Sequence, residues 1–195
     1  MLQVLAGTTR PLSGRQVQQL ARTGSAPGVR KVLARLRATG LVTATEAGAS
    51  TLYVLNREHV AAAAVEQLAG LRQILLERIR EAIKAWPVQP VHVSMFGSSA
   101  RGDGDIASDV DILLVHEEFS TESENAWDDQ LSELGESIRG WSGNMAQMYD
   151  LSLSELEEHF VAGEPIVQDW IKDTIPLAGP DFRRLRNQLA HRTAE

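Results

Sequence analysis

Phe96-Gly97-Ser98-Ser99-Ala100-Arg101-Gly102, followed by Asp103-Gly104-Asp105-Ile106-Ala107 and then Ser108-Asp109-Val110-Asp111-Ile112-Leu113-Leu114-Val115, is the stretch on which the fold turns. Val91 to Phe96 reads as a strand, and Gly97 directly after it permits a sharp turn and close backbone approach to a ligand. Ser98 and Ser99 then bring hydroxyls and N–H groups to the start of a short helix. Such an end suits a phosphate through its unpaired donors and its dipole. Asp109 and Asp111 are two apart at the start of a second strand, Val110 to Val115, so period-two geometry puts both carboxylates on one face. Two adjacent anions repel each other. A hard divalent cation relieves that repulsion, and Mg²⁺ typically takes one or two carboxylates plus substrate phosphates. Two metals would activate an attacking hydroxyl and neutralise leaving pyrophosphate.

This stretch resembles the Gly-Ser, then Asp-x-Asp signature of the polymerase-β nucleotidyltransferase superfamily. It is especially similar to the minimal nucleotidyltransferase branch, written Gly-Ser-x-Ala-Arg-Gly, a variable loop, then Ser-Asp-x-Asp and apolar residues. Gly97, Ser98, Ala100, Arg101, Gly102, Ser108, Asp109 and Asp111 match every named element. The resemblance spans roughly residues 75–175, with the specific motif confined to Phe96–Val115. It implies a nucleoside triphosphate as substrate, held by Gly97 and Ser98 with Ser108 beside them, and Mg²⁺ or Mn²⁺ on Asp109 and Asp111. Arg101 either touches phosphate or is a surface arginine. The family's third carboxylate, its catalytic base, belongs on a later strand, here Met145 to Leu153. Matching the apolar-acid-apolar rhythm puts Gln147 at that position, while Asp150 is the available acid and our candidate third catalytic residue. The two have opposite parity, so only one faces the metals. With Asp150 the site is complete; with Gln147 it lacks its base, and transfer is slow or absent.

Working outward, Glu58 to Trp86 reads as one long helix, with Val60, Ala64, Val65, Leu68, Leu71, Leu75, Ile79 and Ile83 at helical steps. Gly70 is tolerated within it, and Pro87 and Pro90 end it. Such a helix connects two modules, covers a sheet or pairs with its copy in a homodimer. Beyond the motif, Gln130 to Ile138 is expected as a helix. Ser154 is expected to cap another with Glu157 at capping-box spacing. Ile166 to Ile171 and Phe182 to His191 complete the helices. His92 and His116 read as structural or solvent-facing, and Trp127, Trp141 and Trp170 as core.

The N-terminal segment has a different character. Ser13 caps a helix through Arg22, Thr23-Gly24 breaks it, and Ser25 caps a second helix with Pro27 in its first turn. Thr39-Gly40 stops that helix. Leu41 to Thr45 and Thr51 to Leu55 then form a hairpin around Glu46–Ser50. This order is similar to a winged helix-turn-helix over residues 1–56, whose second helix enters the major groove of double-stranded DNA. Carried onto this chain, the recognition helix is Ala26–Ala38, and the DNA-binding candidates are Ser25, Gly28, Arg30, Lys31, Arg35 and Arg37. Arg30 and Lys31 would reach base edges while the others meet phosphate; otherwise the arginines form only a solvated face.

Charge agrees with a division of labour. Residues 1–60 hold eight Lys/Arg against two Asp/Glu, a balance of +6, while the remaining 11 basic and 24 acidic residues give -13. A basic module points to a polyanion, and the acidic remainder argues against nucleic acid wrapping the whole chain. With no cysteine, thiolate catalysis, disulfides and cysteine zinc sites are excluded. No basic-then-apolar leader or 18-residue apolar run occurs, so a cytoplasmic protein is expected.

The expected architecture is therefore α+β: residues 1–56 as a winged helix-turn-helix, 57–86 as a connecting helix, and 87–195 as an α/β nucleotidyltransferase domain with a small mixed sheet and C-terminal helices. The expected activity is metal-dependent transfer of a nucleotide to an acceptor hydroxyl on a protein, an RNA end or a small molecule such as an aminoglycoside. Small bacterial members of the branch include toxin–antitoxin components that modify a partner protein. The alternative is a DNA-binding regulator whose nucleotidyltransferase fold senses nucleotide without turning it over.

Overall fold

The computed structural model describes residues 1–22, 24–101 and 108–192. It divides into two compact units, Met1–Ile74 and Leu75–Glu195.

In the first unit, α1 (Leu2–Ala6) precedes a two-residue strand, β1 (Leu12–Ser13). Helix α2 (Gly14–Ala21) starts at Ser13 with a full capping box, because Gln16 returns the bond to the Ser13 backbone. Ser25 caps α3 (Ala26–Ala38) by accepting from the Gly28 N–H at 3.3 Å, and Pro27 occupies the first turn. The hairpin β2 (Val42–Ala47) and β3 (Ser50–Leu55) closes on Gly48-Ala49, a tighter turn than the sequence suggested, and the sheet order is β1-β3-β2. Leu5, Val17, Val29, Leu33 and Leu55 form the core. Helix α1 and strand β1 were not anticipated: five and two residues are too short for periodicity to register.

The single helix expected over residues 58–86 is instead two. Helix α4 (Ala62–Ala69) ends at Gly70, and α5 (Leu71–Lys84) follows. Ala61 and Val65 pack into the first unit's core, whereas Ile79 and Ile83 belong to the second's. The apolar stripe that made the segment look continuous serves two separate cores.

The second unit is a four-stranded mixed sheet with helices on both faces. Strands β4 (His92–Phe96), β5 (Val110–His116), β6 (Ala146–Ser152) and β7 (Ile175–Ala178) lie in the order β6-β5-β4-β7, with only β5 and β6 parallel. One face packs Val93, Met95, Val110, Ile112 and Leu114 against α5 and α7 (Thr121–Ser142). The other packs Phe96, Leu113 and Val115 against α8 (Leu153–Ala162), α9 (Pro165–Lys172) and α10 (Phe182–Arg192). Burial on both faces explains why β5 is apolar almost throughout rather than alternating. The polar residues in buried β4 pair with each other. Pro180 offers only a carbonyl, so His92 Nδ1–H donates to it at 2.8 Å, and Nε2 accepts from Ser94 Oγ at 3.0 Å. Burial lowers the His92 pKa and favours its neutral ring.

Two features differ from expectation here. The α8 capping box is Ser152 with Glu155, two residues before Ser154 and Glu157, because β6 itself runs to Ser152. Strand β7 is additional: it is only four residues long, carries Pro176, and sits on the sheet edge where proline is tolerated. Among the described residues, no helix is long and apolar enough to cross a membrane.

Candidate functional site

The end of β4 and the start of β5 meet in an antiparallel pair, with Phe96 opposite Asp111. Gly97 leaves β4 at φ +68° and opens the short helix α6 (Gly97–Arg101). A Cβ built on Gly97 would collide with the Asp111 carboxylate. The left-handed backbone favours glycine here, and a side chain would also displace the Asp111 carboxylate from its seat. Ser98 stands in α6, and Ser99 Oγ donates to the Asp109 carbonyl at 2.9 Å, joining α6 to the start of β5. Ser108, just before the acids, accepts at its carbonyl from Asn144 Nδ2 at 2.8 Å, which brings the start of β6 alongside. Gly102 and the Asp103–Ala107 segment of the motif lie outside the described residues.

Asp109 is exposed and Asp111 half-buried. Burial, then repulsion from Asp109, pushes the Asp111 pKa above the ordinary carboxylate value, with the Arg101 charge opposing. Arg101 donates to Asp173 Oδ2 at 3.2 Å. No group of three His, Cys, Asp or Glu able to hold a metal occurs among the described residues. Among the described residues of the motif, Asp109 and Asp111 are the acids, and two carboxylates suit Mg²⁺ completed by substrate phosphates.

The third position is decided by register. Strand β6 runs parallel to β5 with Gln147 beside Asp111, and Gln147 Nε2 donates to Tyr149 Oη at 3.4 Å. Asp150 pairs with Leu114 and therefore turns to the opposite face of the sheet. There it accepts from Trp127 Nε1 at 3.1 and 3.0 Å and lies 3.7 Å from His116 Nε2. The expectation that Asp150 completes the carboxylate set is thus corrected. Its role in this fold is to satisfy a buried indole on α7, and Gln147 occupies the position beside Asp111.

A family model described as nucleotidyltransferase domain matches residues 76–173, half of the chain. The chain belongs to the nucleotidyltransferase domain family. A search of curated proteins found no match. A solved structure of a candidate nucleotidyltransferase from Sulfolobus solfataricus shares 23% identity, covering 58% of this chain and 84% of that one at a TM-score of 0.34. The carboxylate pair, Gly97 and Arg101 all lie inside the stretch matched by the nucleotidyltransferase family, as does Gln147.

Outside the nucleotidyltransferase domain, the first unit carries a concavity of about 600 Å³. It lies where α2, the start of α3 and the start of β3 converge, and Arg15, Gln18, Arg30, Ser50, Thr51 and Tyr53 are among its lining residues. Of the expected DNA-contacting residues, Arg30 alone is among them. Ser25 and Gly28 form the α3 cap, Lys31 and Arg35 share a helix face by their four-residue spacing, and Arg37 is exposed further along. Nothing in the sequence sets Arg15 apart from the other arginines, whereas the fold puts it on the lining of the same concavity as Arg30.

Proposed function

We propose that the second unit binds a nucleoside triphosphate with Mg²⁺ or Mn²⁺ and transfers its nucleotide to an acceptor hydroxyl. We further propose that the first unit is a winged helix-turn-helix that binds double-stranded DNA. The observation that carries the transferase reading is the seating of the Asp111 carboxylate against Gly97, which joins the backbone turn at the end of β4 to an acid pair. Gly97 and Ser98 would hold the triphosphate, with Arg101 and Ser108 beside it, and Asp109 with Asp111 would hold the cation. When bound, the cation supplies charge neutralisation at the phosphates and polarises the acceptor hydroxyl. Attack forms a bond from the acceptor oxygen to the α-phosphorus as the bond to pyrophosphate breaks. The amide of Gln147 cannot accept the hydroxyl proton, so it leaves to solvent or to a group on the acceptor.

A second reading, a DNA-binding regulator that senses nucleotide with little turnover, is favoured by that same Gln147. Incubation of the full chain with Mg²⁺ and each α-labelled nucleoside triphosphate, with and without cell extract, separates the two. An Asp109→Ala, Asp111→Ala double variant is the control. Label on a protein, an RNA or a small molecule with the wild type alone supports transfer. Metal-dependent nucleotide binding without transfer supports the sensor, and absence of both removes the two readings together.

The DNA reading rests on the helix, turn, helix, hairpin order and on Arg15 and Arg30 both lining one concavity. Phosphate contacts from such arginines would position the duplex, while the start of α3 faces the groove.

A further inference from the structure

Arg101 and Asp173 are 72 residues apart in sequence and form an ion pair at 3.2 Å. The sheet makes this meeting. Strand β7 pairs with β4 so that Ile175 lies opposite Met95, and the chain entering β7 therefore passes the end of β4 that leads into Gly97 and α6. Asp173 is anchored from both sides. Its backbone N–H donates to the Asp169 carbonyl at 3.0 Å, closing α9, and two residues later the chain joins the β-ladder. Its side chain is 17% exposed against 35% for Arg101, so the carboxylate is the firmer partner.

We propose that Asp173 is a positioning residue of the nucleotide site, holding the Arg101 guanidinium at the end of the helix that Gly97 opens, in readiness for triphosphate oxygens. The proposal rests on the transferase reading above. An arginine at the end of a five-residue helix has many rotamers, and ordering them only on binding weakens affinity. A carboxylate fixed by a neighbouring helix end and strand orders the guanidinium before the ligand arrives. Asp173 itself touches no substrate in this scheme and acts through Arg101 alone.

The test is the affinity of the full chain for each α,β-methylene nucleoside triphosphate with Mg²⁺, measured by calorimetry beside thermal melts of every variant. Asp173→Asn should weaken the best-bound analogue about five-fold. Arg101→Ala should weaken it at least as much, and adding Asp173→Asn to Arg101→Ala should cost nothing more. Asp173→Glu, which keeps the charge, should recover most of the affinity. A tether that only supports α6 would lower the melting temperature and leave affinity unchanged. That outcome, tighter binding by Asp173→Asn, or losses that multiply in the double variant overturns the proposal. Wild-type protein that binds no analogue overturns the transferase reading instead, and this inference with it.

Discussion

Asp111 is seated against Gly97 with a second carboxylate two residues away, an arrangement suited to a cation and unfavourable without one. Burial and Asp109 raise its pKa, so the folded protein holds the proton more tightly than the unfolded chain does. The stability linked to that proton is present below the ordinary carboxylate range and is lost as pH rises through the raised value. At pH 7, therefore, Asp111→Asn should raise the melting temperature by about 2 °C while abolishing metal-dependent nucleotide binding. The gain should vanish by about pH 3, where the wild-type carboxyl is also neutral. Melting curves at both pH values check this, and an equal shift at each would rule out the electrostatic cause. Gln147 and Asp150 allow a sharper comparison. Gln147→Asp puts a carboxylate beside Asp111 and should raise nucleotide transfer about a hundredfold, the low end for a positioned base. Asp150→Asn keeps an acceptor for the buried Trp127 indole and should leave transfer unchanged. A transfer assay that collapses in Asp150→Asn would return that residue to the site.

At the scale of elements, the site depends on how β4 is held between two neighbours. Strand β5 delivers the acid pair on one side, and on the other β7 brings the chain after α9 to Arg101. The turn after β7 needs Gly179, at φ +73°, because a Cβ there would run into the Val91 carbonyl. Gly179→Ala should cost about 1–3 kcal/mol in denaturant unfolding, through backbone strain and the loosening of β7 from β4. It should also weaken nucleotide binding, since Asp173 precedes the same strand. Unchanged unfolding would mean that β7 contributes little to the sheet. Most of these elements could be read from local signals. Ser13, Ser25 and Pro27 marked helix starts correctly because capping is a contact within four residues. The α8 cap was displaced by two residues because Ser152 and Ser154 are chemically alike, and the end of β6 decides between them.

For the whole molecule, the relevant quantity is the charge contrast between the basic N-terminal segment and the acidic remainder. If the first unit binds duplex DNA through the Arg15 and Arg30 concavity, affinity should fall steeply with salt as counterions are released. Replacing both arginines by alanine in the full chain should lower affinity about tenfold at 0.1 M salt and flatten the log–log salt slope by about 2. Gel shifts across a salt series measure both quantities. A weakened variant with an unchanged slope would mean that the two arginines do not neutralise phosphates.

What the sequence determined by itself is whatever a short window of chain encodes. That includes the turn at Gly97, Asp111 near the start of β5, the α2 and α3 caps and the hairpin. It also includes the family, because the motif is nearly contiguous. The tertiary structure decided what depends on register and on distant segments meeting. A one-residue choice of strand parity put Gln147 rather than Asp150 beside Asp111, and the apolar rhythm of β6 is compatible with either. The approach of Asp173 to Arg101 and the convergence of Arg15 and Arg30 on one concavity left no local trace, since each depends on the packing of elements that carry no record of their partners.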